Sequence, residues 1–179
     1  LDVNKLKNSE SEIEIVLEKI INYLCLHILN QVKAGSDVVQ IFDSWAGLIP
    51  ENKLYDYCFN PNKKIVDFCK KNSIPVICFP KGLQKNYVKF AEAVSPDCLN
   101  LDYDIDPIWA KNNLKNICLQ GGMDPKTLLK KENEIYEEVD KYLNIFKDTA
   151  YIFNLGHGLL PETNPDTLRK VVERVNNFK

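Results

Sequence analysis

Five short runs of apolar residues, each followed by small or polar residues, form the most regular pattern in the chain. The runs are nearly continuous rather than alternating, which is typical of parallel strands buried on both faces. They predict strands at residues 38–42, 75–79, 98–102, 116–120 and 151–155.

Segments with helical spacing separate these runs and predict helices at 13–32, 87–94, 108–114 and 132–146, with two more beginning near 60 and 164. Ser9 and Glu12 form a capping-box pattern before the first helix. Its apolar face is predicted to be buried through Ile13, Val16, Leu17, Ile20, Leu24 and Ile28. The alternation of strand and helix predicts an α/β fold, with residues 1–179 in one domain.

The composition is that of a single globular domain: 179 residues, of which 45% are hydrophobic. The 23 basic and 25 acidic residues are interspersed, and no basic block suggests a nucleic acid or membrane partner. No apolar run approaches the roughly 20 residues of a membrane span. The cysteines form no C-x-x-C pair and are predicted to be reduced and mostly buried rather than metal ligands: Cys25, Cys58, Cys69, Cys78, Cys98 and Cys118.

Turn-forming and polar residues follow every predicted strand. In a parallel sheet these positions share one edge, the carboxyl edge, where α/β enzymes keep their active sites. The segments are 43–47, 80–82, 103–104, 121–125 and 156–158. Their coincidence predicts a functional site at that edge.

Individually, the polar residues allow more than one role. Asp43 is either a general acid–base or a turn cap, and Ser44 either binds a ligand or begins a helix. Asp102 is either an ionised pocket group or a structural partner. Asp124, before a proline, favours a helix start, whereas His157 between two glycines favours function. The G-x-S-x-G elbow of hydrolases is absent.

The assembled segments resemble the C-terminal half of the uroporphyrinogen decarboxylase family. They occur in that family's order and spacing, and the last is close to a signature. The matching stretches are FDSWAG (42–47), FPKG (79–82), LNLDYDID (99–106), LQGGMDP (119–125) and YIFNLGHGLLPETNPDTL (151–168).

The resemblance implies a (β/α)8 barrel that removes four acetate carboxylates from uroporphyrinogen III to give coproporphyrinogen III in haem biosynthesis. It also implies a cytosolic homodimer that needs neither a metal nor an organic cofactor. Ser44 matches the family serine that hydrogen-bonds a substrate carboxylate, and His157 matches a histidine that lines the pocket. Two positions depart from the family: Gly122 where Asn is usual, and Tyr103 where Trp is common.

The family's R-Q-A-G-R segment, its strand-end aspartate and its pocket tyrosine have no match in these 179 residues. Five strands cannot close an eight-stranded barrel. The sequence therefore predicts an incomplete barrel with an exposed apolar edge at its first strand, its main catalytic Asp and Arg residues lying upstream, and no activity in isolation. Two alternatives remain: a zinc- and corrinoid-dependent methyltransferase of the same superfamily, and a non-catalytic half-barrel that pairs with a complementary chain.

Overall fold

Strands and helices alternate along the whole of the chain that the computed structural model describes, residues 10–178. The strands are β1 (Val39–Asp43), β2 (Val76–Pro80), β3 (Cys98–Leu101), β4 (Cys118–Gly121) and β5 (Tyr151–Ile152). The helices are α1 (Glu10–Lys33), α2 (Asn60–Lys71), α3 (Tyr87–Val94), α4 (Pro107–Asn113), α5 (Glu132–Phe146) and α6 (Pro165–Asn176). This order confirms the predicted α/β fold.

All five strands are parallel and lie in the sheet in chain order, from β1 to β5. β1 and β5 each have one neighbouring strand, so the sheet is open, as expected of an incomplete barrel. The predicted exposed apolar edge is present at β1: Val38, directly before the strand, is 47% exposed, and Phe42 within it is 66% exposed. β5 is shorter than predicted, and only an isolated bridge between Met123 and Leu155 continues its pairing.

The helices cover one face of the sheet and build the core with it. Val76, Leu99 and Leu119 project from three successive strands and are at most 2% exposed. They belong to the same apolar cluster as Phe90 of α3 and Val139 of α5. The opposite face of the sheet carries the amide side chains of Gln40, Asn100 and Gln120 together with the rings of Phe42 and Phe79.

Side-chain caps and early prolines start several helices as the sequence predicts. The Asn164 side chain accepts a hydrogen bond from the Asp166 N–H at 2.9 Å and begins α6. The Asp124 carboxylate accepts one from the Lys126 N–H at 2.9 Å and begins a 3₁₀ helix at Pro125–Leu129. α2 differs, because a π-helical turn at Tyr55–Phe59 runs directly into it and Asn60 therefore caps nothing.

The predicted buried face of α1 is wrong at three positions. Val16 is 53% exposed, Ile20 is 48% exposed and Leu24 is 37% exposed, whereas Ile21 and Ile28 are each 6% exposed. α1 packs against α2 along the stripe through Ile21 and Ile28. Its second apolar stripe has no cover among residues 10–178. Ser9 of the predicted capping box lies outside the described residues.

All six cysteines are free thiols; Cys25 and Cys118 are half-buried and the other four are buried, as predicted. Burial, assisted by the neighbouring Cys25 and Asp97, raises the pKa of Cys69 to about 11. That thiol is therefore neutral at physiological pH. Across the described residues, no helix combines the length and apolarity needed to cross a bilayer.

Two adjacent isoleucines provide a test of the corrected α1 face. Ile21→Ala should lower the free energy of unfolding by about 2–5 kcal/mol, because it leaves a cavity between α1 and α2. Ile20→Ala should change it by only about 0.5 kcal/mol, because that side chain is largely in solvent. Urea unfolding of both variants measures the difference, and equal losses would contradict the assignment.

Candidate active site

A cavity of about 380 Å³ opens at the carboxyl edge, on the face of the sheet that the helices leave free. Ser44, directly after β1, and His157, after β5, both line it. Ser44 is half-buried and His157 is exposed. The remaining lining residues come from the strands and from the segment after β5: Gln40, Phe42, Phe79, Asn100, Asn154, Leu155, Gly158 and Leu159. The fold therefore brings together two predicted site residues from opposite edges of the sheet.

Three amide side chains are linked beneath this cavity. Gln120 of β4 donates from Nε2 to Asn100 Oδ1 of β3 at 2.6 Å and to Gln40 Oε1 of β1 at 3.1 Å. β1 and β4 are separated by two strands, about 14 Å in a flat sheet. Side chains perpendicular to a flat sheet would not meet across that distance. The hydrogen bond between Gln120 and Gln40 therefore indicates that this face of the sheet is strongly curved and concave.

The backbone around His157 fixes where its ring lies. The Gly156 N–H donates to the Met123 carbonyl at 2.8 Å. A Cβ on Gly156 would lie 2.8 Å from the Asp102 carbonyl carbon and 2.9 Å from Tyr103 Cα, so only glycine fits. The His157 ring then stands edge-on to Tyr103, with the ring centroids 6.4 Å apart.

The hydrogen bonding of the His157 ring defines its tautomer. Nδ1 accepts a hydrogen bond from the Gly158 N–H at 2.8 Å. In the neutral ring the proton therefore resides on Nε2. An exposed Nε2–H at a cavity wall can donate to a carboxylate.

The segments after β1 and β2 pack tightly against each other. The Lys81 N–H donates to the Asp43 carbonyl at 3.1 Å, and the Lys81 carbonyl accepts from the Gly47 N–H at 2.9 Å. A Cβ on Gly47 would lie 2.7 Å from the Gly82 carbonyl oxygen. This close approach holds Ser44 and Lys81 side by side, one residue beyond the paired Asp43 and Pro80.

Asp43 and Asp102 both direct their carboxylates away from the cavity. Asp43 Oδ2 accepts from Asn62 Nδ2 at 3.0 Å, on the helix-covered face. Asp102 is fully buried, and its Oδ2 accepts from the Gly82 N–H at 2.7 Å and the Tyr87 hydroxyl at 3.0 Å. Burial and the adjacent carboxylate raise the pKa of Tyr87. Both aspartates are structural, and Asp102 ties the segment after β2 to α3.

The sequence analysis did not single out two residues that line the cavity, Gln40 and Asn100. Like Gln120, they are polar side chains inside otherwise apolar strand patterns. A buried polar residue needs a hydrogen-bond partner or a ligand. A polar residue within an apolar strand pattern could therefore have identified these positions in the sequence. In the structure, Asn100 is 2% exposed and Gln120 is 3% exposed.

Within residues 10–178, no group of three or more His, Cys, Asp or Glu side chains is arranged to hold a metal ion.

An open, parallel α/β sheet with a cavity at its carboxyl edge defines the class of the protein as an incomplete α/β barrel. The family model for uroporphyrinogen decarboxylase (URO-D) matches residues 4–178, and the chain belongs to this family.

Curated relatives that match the chain include bacterial proteins named uroporphyrinogen decarboxylase. That of Orientia tsutsugamushi (strain Boryong) is 39% identical over 155 residues, which are 85% of this chain and 45% of the relative. That of Rickettsia bellii is 36% identical over 173 residues, or 93% of this chain and 48% of the relative. The chain thus spans about half the length of these relatives.

A solved methyltransferase from Methanosarcina mazei has the same fold, with a TM-score of 0.76 over 98% of this chain and 51% of that protein. The two sequences are 16% identical, so the likeness extends to the fold alone.

The two glycines that flank His157 should respond differently to substitution. Gly156→Ala should cost about 1–3 kcal/mol of stability, because its methyl group overlaps the backbone of Asp102 and Tyr103. Gly158→Ala is the matched control, since a Cβ there meets nothing within 4 Å. Chemical denaturation compares the two, and a silent Gly156→Ala would contradict the tight packing.

Proposed function

We propose that this chain forms the C-terminal half of a uroporphyrinogen decarboxylase. The full-length protein would remove the four acetate carboxylates of uroporphyrinogen III to give coproporphyrinogen III. One observation carries the proposal: Ser44 and His157, far apart in the sequence, line a single cavity at the carboxyl edge. According to this proposal, residues 1–179 form part of one barrel domain. The cytosolic, homodimeric and cofactor-free character implied by the resemblance belongs to the same proposal.

In this proposal Ser44 and His157 bind and orient a substrate carboxylate. The Ser44 hydroxyl and the His157 Nε2–H are both hydrogen-bond donors, and bonds from such donors to a charged oxygen are stronger than neutral ones. A carboxylate held between them would set the position of the pyrrole ring to which it is attached.

The chemical step needs an electron sink. A protonated pyrrole ring accepts the electron pair of the breaking C–C bond, carbon dioxide leaves, and a second proton converts the methylene to a methyl group. We propose that the groups stabilising the cationic ring are supplied by the other half of the full-length protein.

The first prediction from this proposal concerns the isolated chain. Incubated with uroporphyrinogen III, it should give no coproporphyrinogen, because half of the barrel is missing. Co-expressed with the unmatched half of the Rickettsia bellii relative, it should restore turnover. Chromatography of the oxidised porphyrins measures both. Turnover by the chain alone would contradict the expected inactivity, and a folded two-chain assembly without turnover would contradict the function.

The second prediction concerns the two donors, measured in that assembly. Ser44→Ala and His157→Gln should each lower kcat/KM by roughly 10- to 100-fold, the value of one hydrogen bond to a charged group. Ser36→Ala and His27→Gln are matched controls, because both parent side chains are exposed and neither lines the cavity. Equal effects of site and control variants would refute the assigned roles.

A further inference from the structure

Lys81 is a half-buried cation at the carboxyl edge, in the position directly after β2. Lys81 lies in the turn that follows β2, two residues beyond Phe79, which lines the cavity. Its own N–H and carbonyl are bonded to Asp43 and Gly47, which fixes the point from which the side chain starts. The backbone that carries the Lys81 ammonium group is thus held in a fixed position.

The charge of Lys81 is held in place without being neutralised. Its Nζ lies 5.9 Å from the centroid of the Tyr103 ring, a cation–π contact. No ion pair within residues 10–178 includes Lys81, whereas Lys63, Lys64 and Lys170 are each paired with a carboxylate. The nearby aspartates at the strand ends, Asp43 and Asp102, are turned away and bonded elsewhere.

Tyr103 connects this cation to the cavity. Its ring contacts His157 edge-on as well as the Lys81 ammonium group. Ser44 lies beside Lys81, because β1 and β2 pair up to Asp43 and Pro80. Two donors, the Ser44 hydroxyl and the His157 Nε2–H, thus belong to the cavity, and the Lys81 ammonium contacts the same Tyr103 ring as His157. A ligand with a single carboxylate would not need all three.

We propose that Lys81, positioned by Tyr103, binds a second carboxylate of a polycarboxylated tetrapyrrole while Ser44 and His157 hold the first. The inference rests on the proposed function, because it takes its ligand class from it. A lysine is a point charge with three rotatable donors, so it accepts carboxylates whose positions differ from one pyrrole ring to the next. Lys81 is accordingly a substrate-binding residue, and Tyr103 is a positioning residue that acts through it.

The experiment is a fluorescence titration of the two-chain assembly described above with uroporphyrin III, a stable octacarboxylate that undergoes no turnover. Lys81→Gln should weaken binding by roughly 10-fold or more, and Lys81→Arg should restore it. The wild-type affinity should fall with added salt more steeply than that of Lys81→Gln, because screening acts on the lost charge. Lys147→Gln is the matched control: Lys147 is exposed and lies between α5 and β5, at the amino edge of the sheet.

Two further measurements separate binding from folding. Urea unfolding should give closely similar midpoints for Lys81→Gln and the wild type, because the backbone hydrogen bonds of Lys81 that anchor its segment are unchanged. Tyr103→Leu should weaken binding in the wild type but not in Lys81→Gln, since Tyr103 acts through the lysine; additive losses would refute that coupling.

The outcomes distinguish the two proposals. Unchanged affinity in Lys81→Gln, with losses in Ser44→Ala and His157→Gln, would overturn the role of Lys81 and leave the proposed function standing. No binding of uroporphyrin III by the wild-type two-chain assembly would overturn both. A loss confined to Lys81→Gln would support the lysine site and contradict the roles of Ser44 and His157.

Discussion

The hydrogen bonds of Gln120 are the constraint on which the site depends. Its amide reaches Asn100 on the neighbouring strand and Gln40 on a strand two places further away. These bonds satisfy polar groups that would be costly to bury alone. They also link strands across the curved sheet, whose concave face carries the cavity and whose convex face is packed with helices. The cavity lined by Ser44 and His157 exists because of that curvature.

Above this floor, the loops converge by backbone contact more than by side-chain contact. Gly47 meets Gly82, and Gly156 meets the backbone after β3, at distances that exclude a Cβ. Asp102 adds a buried carboxylate that binds Gly82, Tyr87 and Asp104 together. The functional donors are therefore carried by rigid segments, which is how a site keeps its geometry without many contacts of its own.

Much of this arrangement was predictable from the sequence. Continuous apolar runs gave the strands, capping patterns gave the starts of α6 and of the turn at Pro125, and turn residues located the carboxyl edge. The face of the sheet to which each side chain points was harder to predict from the sequence. Asp43 and Ser44 are adjacent, yet only Ser44 faces the cavity, because the phase of the strand is set by packing against α2. The buried face predicted for α1 is partly wrong because that helix carries two apolar stripes, and the spacing of apolar residues does not choose between them.

The order of the strands also bears on how the chain folds. Every strand pairs with the next in sequence, so sheet growth needs only short loop closures, one helix and strand at a time. The bond between Gln40 and Gln120 is different, since it joins residues 80 positions apart. It cannot form until four strands are in place. Secondary structure and local pairing can thus accumulate early and in steps, whereas the concave surface is acquired late and cooperatively.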